Sequence, residues 1–446
     1  MTKNIILLTI DSLRADHCGF IDDRATTTPY LDRLAKDGLV FENAIAPGPR
    51  TPSSVPPTFT GEFYDYEGVS VNDISERRQR IARHLARYTS FAERLRKRGY
   101  STAAVTANPW TAPDTNFDAG FDVFCETGGN GAGKLDSLEQ FPLLRTIDNV
   151  LRRTGNEERF GWHRRREWFS HWTGFYEMIR ERVNELEEPF FAWIFLLDPH
   201  QPYVTPKAFR EELSAPEMYY SIYRFWNERD GEMPNHVGTR LRRAYRDTVR
   251  SADAFVERLD RDVIDDDIVL VVHSDHGEAL GDHGVYGHEY HLYEENVHVP
   301  LLVAGGPSSG RVENPVSLLE LPEIITGLTR TKPQYRTEQP DPTGASHVIS
   351  RVESRSVASG RAEQLEYVPH YAAVRMSRWK YLRTANGEEL YDLAEDPRER
   401  ENVLTENEDV RGILEEVLER HEDRATEKAA ITDANERLVR RTQPTL

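Results

Sequence analysis

Two short carboxylate-bearing segments constrain this chain most: Asp11 in NIILLTIDSLRADH and Asp275-His276 in DIVLVVHSDHGEALGDHG, each directly behind an apolar, largely β-branched run. A continuous apolar run without polar alternation marks a strand buried on both faces, as in a parallel sheet covered by helices. Asp11 follows the run at 5–8 and Asp275 the run at 268–272, so both acids are expected at the carboxyl ends of such strands. Open α/β sheets bind their ligands at that edge. Either acid alone reads equally well as the cap of the helix that follows. Together, with His276 adjacent, they point to a metal site.

Strand and helix patterns alternate through the first 330 residues. TPYLDRLAKDGLVF puts Leu31 and Leu34 on one face of a helix that Pro29 opens and that ends near Gly38. SFAERLRKRGYSTAAVTAN reads as helix, Gly99 stop and strand, and ERVNELEEPFFAWIFLLDPH repeats the unit. Tyr245, Val249, Ala252, Phe255, Val256 and Leu259 keep near-helical spacing ahead of the strand that precedes Asp275. This alternation predicts an α/β fold with a large mixed, mostly parallel sheet flanked by helices on both faces. The stretch 126–190 breaks the rhythm and reads as an insertion near the site. Its Arg152, Arg153, Arg159, Arg164, Arg165 and Arg166 suit either recognition of an anion or sugar, or a solvated helix paired with Glu157, Glu158 and Glu167. Residues 307–365 read as a helix, SLLELPEIITGL, and then a linker rich in Pro, Ser, Gly and Glu. Asn386-Gly387 is a hairpin signal between β-favouring runs, and 406–446 reads as a helix and polar tail.

The 75 acidic residues against 56 basic ones give a net charge of −19, spread along the chain in the manner of a salt-adapted surface. Such a field repels nucleic acid and anionic membranes, so neither is an expected partner, and an anionic substrate needs a locally positive site. No apolar run approaches the roughly 18 residues of a membrane span. The start, MTKNIILLTIDS, lacks the regions of a signal peptide. A cytoplasmic protein is expected, with Cys18 and Cys125 reduced or indifferent. Nothing in the pattern specifies an oligomeric state.

Seven pieces stand in one order: DSLRADH, TTPYLDRLAKDGLVFENAIAPG, the stretch Thr51 to Gly61, LLDPHQPY, HSDHGEALGDHG, LYEENVHVPLLVAG and WKYLRTANGEELYDLAEDPRERENVL. In that order they resemble the sulfatase-like branch of the alkaline phosphatase superfamily. The resemblance implies a catalytic α/β domain over 1–330 and a small antiparallel C-terminal subdomain over 366–405. It also implies an enzyme that hydrolyses sulfuric or phosphoric esters. Ten residues before Gly61 stands Thr51, where sulfatases carry the cysteine or serine oxidised to formylglycine. The sulfatase signature runs Cys or Ser, any residue, Pro, any residue, Arg; here the window reads Thr51, Pro52, Ser53, Ser54, Val55. Both the oxidisable residue and the arginine are missing. A threonine there resembles the phosphodiesterase and phosphoglycerol-transferase members, whose hydroxyl attacks phosphorus directly. Ser53 and Ser54 are the competing nucleophiles.

A threonine hydroxyl is a weak nucleophile near neutral pH and needs a divalent cation beside it. Asp11, Asp275 and His276, with Thr51, are the expected ligands. Hard donors with one imidazole suit Mg²⁺, Ca²⁺ or Mn²⁺, and more imidazole would favour Zn²⁺. The resemblance assigns His200 to the ester oxygens and His288 to the leaving group, and it offers Asp198, His200 and His288 as a possible second metal set. His283, His291 and His298 are weaker candidates. Arg14 and Arg50 are candidate clamps for an anionic small-molecule, sugar or lipid ester. Two other readings stay open: a phosphodiesterase or phosphoglycerol-transferase-like enzyme, and a non-catalytic relative that binds a metal and an anion.

Overall fold

The computed structural model describes residues 3–64, 74–127, 171–228, 233–288, 291–329, 347–352, 370–384 and 387–442. In chain order its strands begin with β1 (Asn4–Ile10), β2 (Leu39–Ile45), β3 (Ser101–Thr106), β4 (Val123–Glu126), β5 (Phe190–Leu196) and β6 (Ile268–His273). Then come β7 (Ala279–Asp282), β8 (Val285–Gly287), β9 (His298–Ala304), β10 (Gly310–Val312) and β11 (Val316–Ser317). The last four are β12 (His347–Arg351), β13 (His370–Met376), β14 (Trp379–Thr384) and β15 (Glu388–Asp392). The large sheet has the order β10-β2-β9-β6-β1-β5-β3-β4, with β11 also paired to β2. Its pairings are parallel except those of β9, which runs against both β2 and β6.

The apolar runs are explained by what covers them. In β1, Ile6, Leu8 and Ile10 enter one hydrophobic cluster while Ile5 and Leu7 enter the other, so alternate side chains meet different helix layers. One face is covered by the helices Pro29–Leu34, Tyr176–Asn184, Ala215–Glu228 and Asn235–Asp262. In the last of these, Tyr245, Val249, Ala252, Phe255, Val256 and Leu259 form the buried stripe that the spacing predicts. The other face carries the helices Thr51–Thr60, Ile74–Arg87, Phe91–Lys97 and Leu321–Leu328. No helix among the described residues is long and apolar enough to cross a membrane.

Two sequence expectations change. The expected insertion does not extend to 190, because Trp172, Tyr176, Ile179 and Val183 are buried in the first cluster. Their helical spacing is core spacing, masked in sequence by the charged residues between them. The arginine calls at 152–166 lie outside the described residues, as does Asn386 of the hairpin signal. The stretch read as linker contains β12, which pairs antiparallel with β13 and extends the C-terminal sheet to the order β12-β13-β14-β15. A five-residue strand embedded in Pro- and Gly-rich sequence is too short to show a period. Cys18 and Cys125 are unpaired.

The C-terminal sheet packs one face against Leu414 and Leu418 of the helix Glu408–Thr442 and gives Val348, Ala373 and Leu382 to the second large cluster. A buried ion pair network reinforces that seam. Lys380 on β14 has no exposed side chain, and its Nζ lies 2.9 Å from Glu294 Oε1 and 2.8 Å from Glu399 Oε1. Glu399 also accepts the Glu294 backbone amide at 2.6 Å. Removing one member of a buried charge network strands the others. Lys380→Met is therefore expected to destabilise the protein by roughly 3–5 kcal/mol in a denaturant melt. A loss under about 1 kcal/mol, the scale of a surface pair, would show that the seam does not depend on this charge.

Candidate active site

The register of the two central strands brings the acids level. Thr9 of β1 pairs with His273 of β6, so Asp11 and Asp275 each lie two residues past a matched pair, on the carboxyl edge of parallel neighbours. The turn after β1 holds Ser12 in the left-handed region at φ 62°. That turn lets the Ser12 amide donate to Asp275 Oδ1 at 3.3 Å and its hydroxyl to Asp11 Oδ1 at 3.0 Å. A non-glycine residue held there stores strain that the surrounding contacts must offset. His276 donates Nδ1–H to the Gly277 carbonyl at 2.8 Å, which leaves the lone pair on Nε2. That Nε2 lies 3.5 Å from Asp11 Oδ1 and 3.4 Å from Asp275 Oδ2. Gly277 is required where it stands, since a Cβ would come within 2.0 Å of the Glu295 carbonyl oxygen.

The helix Thr51–Thr60 supplies the hydroxyl. Every residue in it is buried; Arg50 precedes it and Gly61, at φ 79°, ends it. Pro56 cannot donate to the Pro52 carbonyl, and the Tyr64 hydroxyl does so instead at 2.7 Å. Thr51 opens the first turn with its Oγ1 3.4 Å from His276 Nε2 and 3.2 Å from Asn108 Nδ2. Asn108 also donates to Asp11 Oδ2 at 2.6 Å. Ser53 and Ser54 point elsewhere: Ser53 Oγ donates to the Arg50 carbonyl at 2.9 Å, and Ser54 Oγ to the Asp275 carbonyl at 2.6 Å.

Burial first, and then the charge of Asp275, hold the Asp11 carboxyl well above its ordinary range. Burial pushes Asp275 up to about 7. Burial, followed by the nearby charge of His288, keeps His276 well below its ordinary value. The pocket thus disfavours two anions and one imidazolium. A divalent cation would reverse the first preference and needs the second. Asp275 Oδ2 is also buried without a hydrogen bond. One ligand atom from each of Asp11, Asp275 and His276 falls within a 4.8 Å cluster, and no other acid, histidine or cysteine among the described residues joins such a group. The donor set fits a hard divalent ion.

Beside this cluster stand two more imidazoles. The His288 ring centroid is 4.5 Å from that of His276 and 4.8 Å from that of His200. His288 Nδ1 lies 2.9 Å from Glu278 Oε2, and His200 Nδ1 donates to the Gln201 carbonyl at 2.6 Å. The charge of Arg50 acts on both His200 and His276. Other expected residues are engaged differently. Asp198 Oδ1 faces His171 Nε2 at 3.5 Å, so Asp198, His200 and His288 are not gathered as a second metal set. Arg14 is committed to Asp16, to Asp282 at 2.8 Å and to the Glu278 carbonyl at 3.1 Å, which uses its guanidinium on carboxylates and a backbone carbonyl. His283 pairs with Glu295 at 2.8 Å, and His298 bonds the Glu42 carbonyl at 2.7 Å. His291 is buried outside the three-residue group. Sequence reasoning missed Asn108, Ser12 and Glu278. Asn108 was findable, since it stands two residues past β3 as Asp275 stands two past β6.

A buried hydroxyl at a helix start, among two carboxylates and imidazoles on the carboxyl edge of a mostly parallel sheet, is the layout of alkaline-phosphatase-like α/β hydrolases. The chain belongs to the sulfatase family, whose model matches residues 3–330. Choline-sulfatase of Rhizobium meliloti is 27% identical over 255 residues, 52% of this chain and 49% of that one. The low-salt glycan biosynthesis sulfotransferase Agl7 of Haloferax volcanii is 26% identical over 237 residues, 49% of this chain and 52% of its own. The chain thus spans about half the length of either relative. Its fold matches that of the phosphonate monoester hydrolase of Agrobacterium radiobacter with a TM-score of 0.63 at 18% identity, covering 94% of this chain and 96% of that one.

The raised acids predict a signed pH dependence. In metal-stripped protein, the stability tied to a neutral Asp275 is complete below its unfolded value near 3.8 and is lost as pH rises toward about 7, where the folded state still holds a proton that the unfolded state has released. Asp275→Asn should flatten that loss. In wild type, Mg²⁺, Ca²⁺ or Mn²⁺ should raise Tm near neutral pH, by about 2.7 kcal/mol of stability at a hundredfold excess over Kd. Melts with and without chelator test both points, and a wild-type melt indifferent to every divalent ion would argue against the site.

Proposed function

We propose that the chain is a metal-dependent hydrolase of sulfate or phosphate esters with the Thr51 hydroxyl as nucleophile. One observation carries the reading: of the three hydroxyls in the first turn of the helix, the Ser53 and Ser54 oxygens are tied to backbone carbonyls while Thr51 Oγ1 lies among Asn108 and His276. Asn108 occupies one lone pair of Oγ1, which leaves the other for bond formation. A divalent cation held by Asp11, Asp275 and His276 would lower the pKa of the hydroxyl and neutralise charge on the ester. Arg50 and His200 meet the charge on the remaining ester oxygens. As the bond from Oγ1 to sulfur or phosphorus forms, the hydroxyl proton passes to the Asp275 carboxylate, with which Thr51 shares a hydrogen bond, and the bond to the leaving oxygen breaks. His288, oriented by Glu278, gives that oxygen its proton. The resulting ester on Thr51 is then cleaved by water. The substrate class is an anionic ester of a small molecule, sugar or lipid.

The threonine in place of an oxidisable cysteine or serine favours a second reading, phosphodiester cleavage or transfer of the bound group to an alcohol. The name of the Haloferax relative, a sulfotransferase, is in keeping with transfer.

A panel of sulfate monoesters, phosphate monoesters and phosphate diesters, assayed at high salt with Mg²⁺, Ca²⁺, Mn²⁺ and Zn²⁺, separates these readings by the ester turned over fastest. On that ester, Thr51→Ala should lose at least about a thousandfold in kcat/KM, and Thr51→Ser should keep part of it. Ser53→Ala should stay within a few-fold of wild type. Full activity in Thr51→Ala removes the nucleophile assignment.

A further inference from the structure

A cavity of about 1420 Å³ opens on residues that take no part in the proposed chemistry. Neither Asp11, Thr51, Asp275 and His276 nor His200 and His288 lines it. Its walls come from the turn after β1, from β7, from the helix Asn235–Asp262 and from the segment after β15.

Its charges are unevenly satisfied. Asp16 and Asp282 both clasp Arg14. Asp22 holds Arg24, and Glu295 holds His283. Glu294 is bound by Lys380 and Arg375, and Asp396 accepts the backbone amides of Arg400 and Glu401. Of the acids that line the cavity, Asp23 and Asp396 have no cationic partner among the described residues, and the charge of Arg242 acts on Asp282 without an ion pair. Arg242, Arg398 and Arg400 also line it, all exposed, and their guanidinium groups make no hydrogen bond or ion pair among the described residues. In a chain of net charge −19, the unanswered charge at this cavity is positive.

We propose that the cavity is a second binding site, separate from the catalytic centre, for a sugar that carries more than one sulfate or phosphate group. Arg398 and Arg400 come from one wall and Arg242 from another, so they suit oxoanions set apart on one molecule. The volume exceeds that of a bare oxoanion many times over. Ser377 and the spare lone pairs of the lining acids suit sugar hydroxyls. The occupant lies against the back of the catalytic loop: Arg14 donates to the Glu278 carbonyl at 3.1 Å, and the Glu295 carbonyl accepts the Glu278 amide at 2.8 Å.

The test is calorimetric titration of the full chain with a disulfated disaccharide and, separately, with inorganic sulfate and inorganic phosphate. Thr51→Ala should bind the disaccharide like wild type. The triple variant R242A/R398A/R400A should bind at least about tenfold more weakly, and its Lys counterpart should recover part of that loss. Unchanged binding by the Ala triple, loss of binding in Thr51→Ala alone, or no binding to any form overturns the proposal. Equal affinity for inorganic sulfate or phosphate overturns the assignment to a sugar. The three arginines are exposed, so the triple should keep the wild-type melt and its turnover of a small aryl ester. Failure here therefore stays distinct from failure of the Thr51 assignment.

Discussion

Two carboxylates with no exposed surface, Asp11 and Asp275, sit side by side at the ends of adjacent parallel strands. Taking one unpaired carboxylate out of water costs several kcal/mol, and a second beside it adds repulsion. A core selected for stability alone would not place them there. The fold answers them only in part, with the Ser12 amide and hydroxyl, the Asn108 amide and the His276 backbone amide. Asp275 Oδ2 receives none of these bonds. Partial satisfaction is the form expected of a site whose remaining partner is a cation.

The elements around the acids are stiff where stiffness sets a distance. The helix Thr51–Thr60 has no exposed side and two internal prolines, and its N-terminal end faces the acids. Its first turn can hardly rotate, so Thr51 Oγ1 is held beside Asn108 and His276 while the Ser53 and Ser54 hydroxyls bond backbone carbonyls. The loop behind His276 is held by a second mechanism: Gly277 and Glu278 donate to the Asn296 and Glu295 carbonyls at 2.9 Å and 2.8 Å. Those carbonyls belong to the helix Glu294–Val297, whose first residue is gripped by Lys380 of the C-terminal sheet. The small sheet thus braces, across one buried ammonium, the backbone that positions the His276 imidazole.

Features set by local period were legible in the sequence. The strand runs, the helix stripe from Tyr245 to Leu259 and the position of both acids follow from period and from what a doubly covered sheet requires. Thr51 was legible only through resemblance, because its offset from Gly61 has no meaning in local propensity. What stayed hidden depends on competition among distant polar groups. Arg14 stands three residues from Asp11, yet its guanidinium is taken up by Asp16 and Asp282. Asp198 stands in the right loop and is turned toward His171. Glu278 reads as an ordinary surface acid, and only the ribbon of β7 and β8 folds His288 back to within 2.9 Å of it. The antiparallel course of β9 was equally invisible, since a strand buried on both faces has the same composition in either direction.

The residue at position 51 also limits how a bound group can leave. An aldehyde hydrate carries two hydroxyls on one carbon, so the oxygen left free can help expel the ester that the other has formed. A threonine ester has no such neighbour, and its breakdown takes a nucleophile from outside. Under the proposed reaction, water and an alcohol would compete for the same line of approach, opposite Thr51 Oγ1, and the imidazole that gave up a proton to the first leaving oxygen would take one from whichever arrives. On that proposal, hydrolysis and transfer would share every catalytic group. They would differ only in which nucleophile reaches the ester once the first product has gone.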